Sequence, residues 1–366
     1  MSLPSLCFFL CLLLLHFSSW LVEGNPITNP PTLGTTDDNN DRLRRTFDDL
    51  EIILVKIGGS SITHKSELER LNSEAVTWFA RTVAHATSAF FQHGAVTEKC
   101  PSIPDESDHP PKHGRGFVLV HGAGSFGHFT AKEYGLKGHS TPPPLLQSNN
   151  TTTLEIQHKR RILNEGLVKT RLSVQKLNQI VVKELIENGV NAVAVSPCFS
   201  IPGLHAHASL QAQTHLQSTV QETLEAGLIP VIHGDACLYG AHGAGILSGD
   251  TVMEILGIQP WIKHAVFITD VDGVFDRDPR SDPTAQLLSH IAVDPRNGEV
   301  VADVTASGST HEHDVTGGLK TKLKSASAIA SAGKNVTIVK SQSLSAERLL
   351  QGGIADIGST LYPLAR

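Results

Sequence analysis

From residue 51 onward, short apolar runs alternate with longer stretches in which apolar residues recur at helical spacing. "EIILVKIGG" (51–59), "GFVLVHGAG" (116–124), "NAVAVSP" (191–197), "LIPVIHGD" (228–235), "HAVFITDVDGVF" (264–275) and "NVTIVK" (335–340) read as strands. Their nearly unbroken apolar character is what a strand buried on both faces requires. Between them, "NSEAVTWFARTVAHATSAFF" (72–91), "LVKTRLSVQKLNQIVVKELIENG" (167–189) and "KTKLKSASAIASAG" (320–333) read as helices, the last two closed by glycine. The alternation predicts an α/β fold: a mostly parallel sheet with helices on both faces.

Two stretches break this rhythm. Residues 92–115 are polar and contain proline, which predicts a surface loop between a helix and a strand. "GHSTPPPLLQSNNTTT" (138–153) is a second loop, either a lid or a variable connection. Upstream, residues 1–24 form an apolar block too short to span a bilayer comfortably. They resemble a secretory signal or an anchor, although the block holds no Lys or Arg. Residues 25–50 read as a disordered linker, leaving 51–366 as the folded part.

Composition narrows the partners. The 366 residues suffice for one large α/β domain or two lobes, and the net charge of −6 gives no basic footprint for nucleic acid. A small-molecule ligand is therefore expected, with no stable membrane contact unless the apolar N-terminal segment is retained. Of the five cysteines, Cys7 and Cys11 lie in the leader. Cys100, Cys198 and Cys237 show neither a disulfide framework nor metal-ligand spacing. The sequons at Asn149, Asn150 and Asn335 matter only if the chain enters the secretory route.

Glycine-bearing or acidic stretches then fall at strand ends, where open parallel sheets place their ligands. In "VKIGGSSITHK" (55–65), Lys56 lies inside an apolar strand, a costly place for a charge unless an anion meets it. Gly58 and Gly59 let backbone N–H groups approach that anion, Ser60 adds a donor, and Lys65 follows past the turn. "HGAGSFGHF" (121–129) is a second glycine turn flanked by histidines, and "IHGD" (232–235) a third strand-end turn. In "ILSGDTV" (246–252), Asp250 precedes a helix, either as its N-cap or as a partner for a lysine or a metal. The acids of "ITDVDGVFDRDP" (268–279), Asp270, Asp272, Asp276 and Asp278, fail the calcium-loop spacing and read as a turn with nucleotide contacts. "DVTGGLKTKL" (314–323) offers Gly317 and Gly318 at a helix start, followed by Lys320 and Lys322. Two separated lysine-and-glycine sites point to several phosphates, the arrangement phosphoryl transfer demands. Neither a Walker sequence nor a protein-kinase signature is present.

Taken in order, "VKIGGSSIT", "VHGAGSFGHF", "PVIHGD", "ILSGD", "TDVDGVFD" and "DVTGGLKTK" resemble the amino acid kinase superfamily, over roughly residues 51–364. Within it, "HGAGSFGH" and "ILSGD" resemble the isopentenyl phosphate kinases. The resemblance implies a three-layer αβα sandwich, a cytosolic homodimer, and transfer from ATP, carried with Mg2+, to isopentenyl phosphate for isoprenoid synthesis. It also implies an acceptor-binding lobe near 51–230 and a nucleotide-binding lobe near 231–366. By motif position, Lys56 and Lys65 match lysines at the transferring group, and Asp250 the acid that holds both. Gly58, Gly59, Ser60, Thr269, Asp270, Gly317, Gly318 and Lys322 match the ATP side, with Ala123 on the transfer line. Gly122, Gly124, Ser125, Gly127 and His128 match the acceptor phosphate side. No resident metal ligand is implied. The acceptor oxygen is already anionic, so His128 would orient it and relieve repulsion rather than act as a strong base.

Three features depart from the family pattern. Gly122-Ala123-Gly124 replaces three consecutive glycines, which leaves the turn intact if Ala123 keeps a negative φ. The 92–115 insert and the "HKRR" run (158–161) lie outside the matching blocks. The leader conflicts with a cytosolic setting and makes the secretory pathway the alternative. Two other functions remain open: a kinase of the same superfamily acting on UMP or a carboxylate, and an inactive ligand-binding member.

Overall fold

The computed structural model describes residues 50–91, 115–136, 152–198, 210–238, 243–277, 279, 282–301 and 317–364. The expected leader, the linker up to residue 49, most of both loops, Asp278, and the sequons at Asn149 and Asn150 lie outside them.

Strand β1 (Glu51–Ile57) runs through the middle of a sheet, parallel to β2 (Arg115–His121) on one side and β7 (Ile262–Thr269) on the other. Beyond β2 come β4 (Ile229–His233) and β3 (Ala192–Val195), all parallel. Beyond β7 come β10 (Asn335–Lys340), β11 (Ser359–Pro363), β8 (His290–Val293) and β9 (Val300–Val301). Of these, β11 is antiparallel to β10, and β9 to β8. Among the described residues this makes one nine-stranded sheet. The hairpin β5 (Asp235–Leu238) and β6 (Ala244–Leu247) stands apart from it.

Alternate residues of a strand face opposite sides, so β1 feeds two apolar cores. Ile52 and Leu54 pack with Val118 and Val120 beneath α5 (Leu210–Glu225), α6 (Gly249–Gly257) and α7 (Gly317–Ser331). Ile53 and Val55 pack with Leu119 and Val231 beneath α2 (Ser73–Phe91), α4 (Thr153–Glu187) and α8 (Leu344–Gln351). Two short helices, α1 (Gly59–Ile62) and α3 (His128–Glu133), follow β1 and β2. These are the layers the alternation and the resemblance predict.

Helix α4 starts well before residue 167. Thr152 caps it: its hydroxyl accepts from Glu155 N at 3.3 Å, while Thr152 N donates to Glu155 Oε2 at 2.8 Å. Its first turns, including the "HKRR" run, are mostly solvent-facing and lack the apolar stripe that marks the rest.

The cysteine reading needs a correction. Cys198 and Cys237 form a disulfide with their Cα atoms 5.7 Å apart, tying the segment after β3 to β5. Thirty-nine positions separate the two, so only the parallel packing of β3 against β4 brings them together.

Candidate active site

The C-terminal ends of β1, β2, β4 and β7 converge on one cavity of about 490 Å³. The chain order reverses direction across the sheet between β1 and β7, which splays the loops apart and opens a crevice there.

Lys56, only 5% exposed, shares the face of Ile52 and Leu54 and meets the start of α6. Its Nζ lies 3.2 Å from Asp250 Oδ1. Ser248, not Asp250, caps this helix, its Oγ accepting from Thr251 N at 3.1 Å. The Asp250 carboxylate is thus free to hold the lysine.

Lys65 meets a different acid from the one expected. Its Nζ donates to Asp270 Oδ2 at 3.0 Å, so Asp250 holds Lys56 and Asp270 holds Lys65. Burial pulls the Asp270 pKa upward, but the bond and charge of Lys65 outweigh it and leave the acid below its ordinary value. Lys322, on α7, donates to Thr269 Oγ1. Burial, and then the charge of Lys56, lower Lys322 to about 8. The three lysines line the same cavity as Gly58, Gly59, Ser60, Thr269 and Asp270.

The two glycine turns interlock. A Cβ on Gly59 would stand 2.2 Å from Gly124 N, and Gly124 itself has φ +52°. Ala123 keeps φ −73°, which is why alanine is tolerated between glycines. Gly122, Ala123, Gly124, Gly127 and His128 face the cavity. Ser125 is corrected: its hydroxyl donates to Arg70 O at 3.3 Å, its N–H donates to Thr63 Oγ1 at 2.9 Å, and it holds the turn rather than a ligand. His128 stands exposed at the rim, where partial loss of hydration and then the charge of Lys65 lower its pKa. Gly317 and Gly318 open α7, as predicted from the Gly-Gly turn.

The sequence did not point to the far wall. Ala131, Thr170, Val174 and Ile246 give it an apolar character, and the buried Asp235 pairs with Arg171. "IHGD" flags Asp235, but nothing in the run of α4 distinguishes Arg171. Of the turn acids, Asp272 meets Lys340 at 3.5 Å and Asp276 meets Arg277 at 3.0 Å, an ion-paired turn rather than a calcium loop.

The amino acid kinase family model matches residues 51–341. The chain belongs to that family. An isopentenyl phosphate kinase of Arabidopsis thaliana is 34% identical over 83% of this chain and 91% of its own length. One from Methanothermobacter thermautotrophicus is 28% identical over 79% of this chain and 90% of its own. A solved isopentenyl phosphate kinase shares the fold with TM-score 0.59 at 24% identity, covering 84% of this chain and 99% of that one. The T. acidophilum isopentenyl phosphate kinase product complex gives 0.56 at 23%, covering 85% and 99%. Among the described residues, no helix is long and apolar enough to cross a membrane.

Burial beside Lys56 makes Lys322 the group expected to give anion binding a pH dependence. It is cationic below about 8 and neutral above, so phosphate affinity should fall as pH rises through that value. Between about pH 7 and about pH 9 the ATP Kd should weaken roughly tenfold, as the charged fraction falls. Lys322→Arg, which stays charged, should abolish this loss. Titration calorimetry at both pH values checks it, and a flat wild-type profile would refute it.

Proposed function

We propose that this chain transfers the γ-phosphoryl group of ATP to isopentenyl phosphate, giving isopentenyl diphosphate and ADP. The observation that carries the reading is one cavity that joins Lys56, Lys65, Lys322 and two glycine turns to an apolar wall of Ala131, Val174 and Ile246. Phosphates meet the first set and a short hydrocarbon tail the second. The isopentenyl phosphate kinases matched over most of the chain support the same substrate pair.

In the reaction, an acceptor phosphate oxygen attacks the γ-phosphorus, and the bond from that phosphorus to the β,γ-bridging oxygen breaks. ADP leaves with the electron pair. Lys56 and Lys65 stabilise the charge that spreads over the transferring group, each held by its own carboxylate. Lys322 and the turn of Gly58, Gly59 and Ser60 hold the ATP phosphates. Gly122, Ala123, Gly124, Gly127 and His128 hold the acceptor. We assign acceptor binding to the half built from 51–230 and nucleotide binding to 231–366, with the β5–β6 hairpin packed on α4 across that boundary.

The described residues contain no group of three or more His, Cys, Asp or Glu placed to hold a metal ion. Magnesium enters on the nucleotide, where it neutralises phosphate charge. A homodimer in the cytosol completes the reading, tested by light scattering and by fractionation of the full-length protein.

Replacing His128 by Ala should raise the acceptor KM about tenfold or more, the cost of one charge-assisted hydrogen bond, with the ATP KM unchanged. If the ATP KM moved instead, this turn would belong to the donor. The substrate itself is tested by a panel of isopentenyl, dimethylallyl and longer prenyl phosphates, UMP and glutamate. Preference for the short prenyl phosphates supports the reading; preference for UMP or glutamate replaces it with a sister activity.

A further inference from the structure

Beneath the acceptor turn lies a buried pair that the reaction above does not use. His121 and His233 end the neighbouring parallel strands β2 and β4 and stand in register. Both side chains share the face of Leu119 and Val231, under α4. They are 1% and 2% exposed, and their rings stack with centroids 5.8 Å apart and planes at 28°.

Each ring bonds the carbonyl of the glycine that follows it. His121 Nδ1 lies 3.0 Å from Gly122 O, and His233 Nδ1 lies 3.1 Å from Gly234 O. A carbonyl only accepts, so Nδ1 carries the proton in both rings. For His121 a second contact fixes the same tautomer. Asn178 Nδ2 lies 3.1 Å from His121 Nε2, and that amide also donates to Val231 O at 3.3 Å. The amide group donates, so Nε2 accepts and the imidazole is neutral. Burial accounts for that neutrality, holding His121 to about 3 and His233 to about 4.

A trans peptide points its C=O and N–H in opposite directions, and no described peptide bond is cis. The bond that draws the Gly122 carbonyl toward the His121 ring therefore turns the Ala123 N–H away from it. Gly122 and Ala123 both line the cavity. Gly122 N is already committed to Ile57 O at 3.0 Å, and Gly234 N to His121 O at 3.0 Å. Of the first two N–H groups after β2, the Ala123 N–H is thus the one left for an anion.

We infer that His121 is a positioning residue: with His233 beside it and Asn178 behind it, it clamps the Gly122–Ala123 peptide so that the Ala123 N–H faces the acceptor phosphate. This rests on the acceptor assignment made above for the turn. It separates the two histidines of "HGAGSFGHF", His128 meeting the phosphate and His121 setting the backbone that meets it.

The test compares His121→Asn, His121→Leu and wild type in steady-state kinetics on the full chain. An Asn amide places a donor near the position of Nδ1, whereas Leu keeps bulk and loses the bond. His121→Leu should raise the isopentenyl phosphate KM about tenfold with little change in the ATP KM, and His121→Asn should recover most of that loss. Equal weakening for both substrates, or no rescue by Asn, would reduce His121 to a packing residue and overturn the inference. Where His121→Leu fails to fold by circular dichroism, Asn178→Leu, which frees Nε2 and loosens the same ring, must give the same acceptor-selective shift or the inference falls. A wild type that phosphorylates no prenyl phosphate but does act on UMP would sink the substrate reading alone. The clamp would then be scored on the UMP KM.

Discussion

Lys56→Met is expected to lower kcat about a thousandfold while leaving the fold intact. The methionine fills nearly the same volume along an apolar strand, so packing against the α6 side should persist. What disappears is a cation 5% exposed, fixed 3.2 Å from Asp250, in a cavity where water screens little. A fixed charge of that kind is worth most while charge is moving from ATP to the acceptor. The loss should therefore appear in kcat and far less in either KM. Turnover within a few-fold of wild type, in a variant whose circular dichroism is unchanged, would remove Lys56 from the mechanism.

The second large effect is steric. Gly59→Ala would set a methyl 2.2 Å from Gly124 N and 2.7 Å from its Cα, both backbone atoms. Neither turn can yield without carrying the other, so the two turns shift together. A displacement of about 1 Å costs on the order of a hundredfold in rate, and kcat/KM should fall by at least that for both substrates. Gly58→Ala is the control. Its methyl would meet nothing nearer than 3.5 Å, and its backbone, at φ −63° and ψ 139°, suits alanine. Thermal melting should separate the two, with Gly59→Ala destabilised and Gly58→Ala close to wild type. Equal behaviour would mean that the turns do not interlock.

What could be read from the sequence follows from range. β1, β2, β4, β7 and β10 announce themselves because an apolar run is a local signal, and glycine turns directly follow β1, β2 and β4. Lys56 stands out because a charge inside such a run needs a partner. The partners themselves are another matter. Lys65 finds Asp270 across 205 positions, and Arg171 finds Asp235 across 64, distances over which sequence carries no geometric cue. The Cys198–Cys237 disulfide and the His121–His233 stack depend on which strands become neighbours, and β4 lies beside β2 only through a crossover. Ser125 shows the converse error. A hydroxyl in a glycine turn suggests a ligand donor, yet the chain turns it back to satisfy Arg70 O.

Phosphorus NMR of the full chain with MgATP and isopentenyl phosphate tests the central claim most directly. The monophosphate resonance should disappear in step with ATP, with ADP and a prenyl diphosphate appearing in equal amounts. An unchanged spectrum, or ATP consumed only to inorganic phosphate, would contradict it.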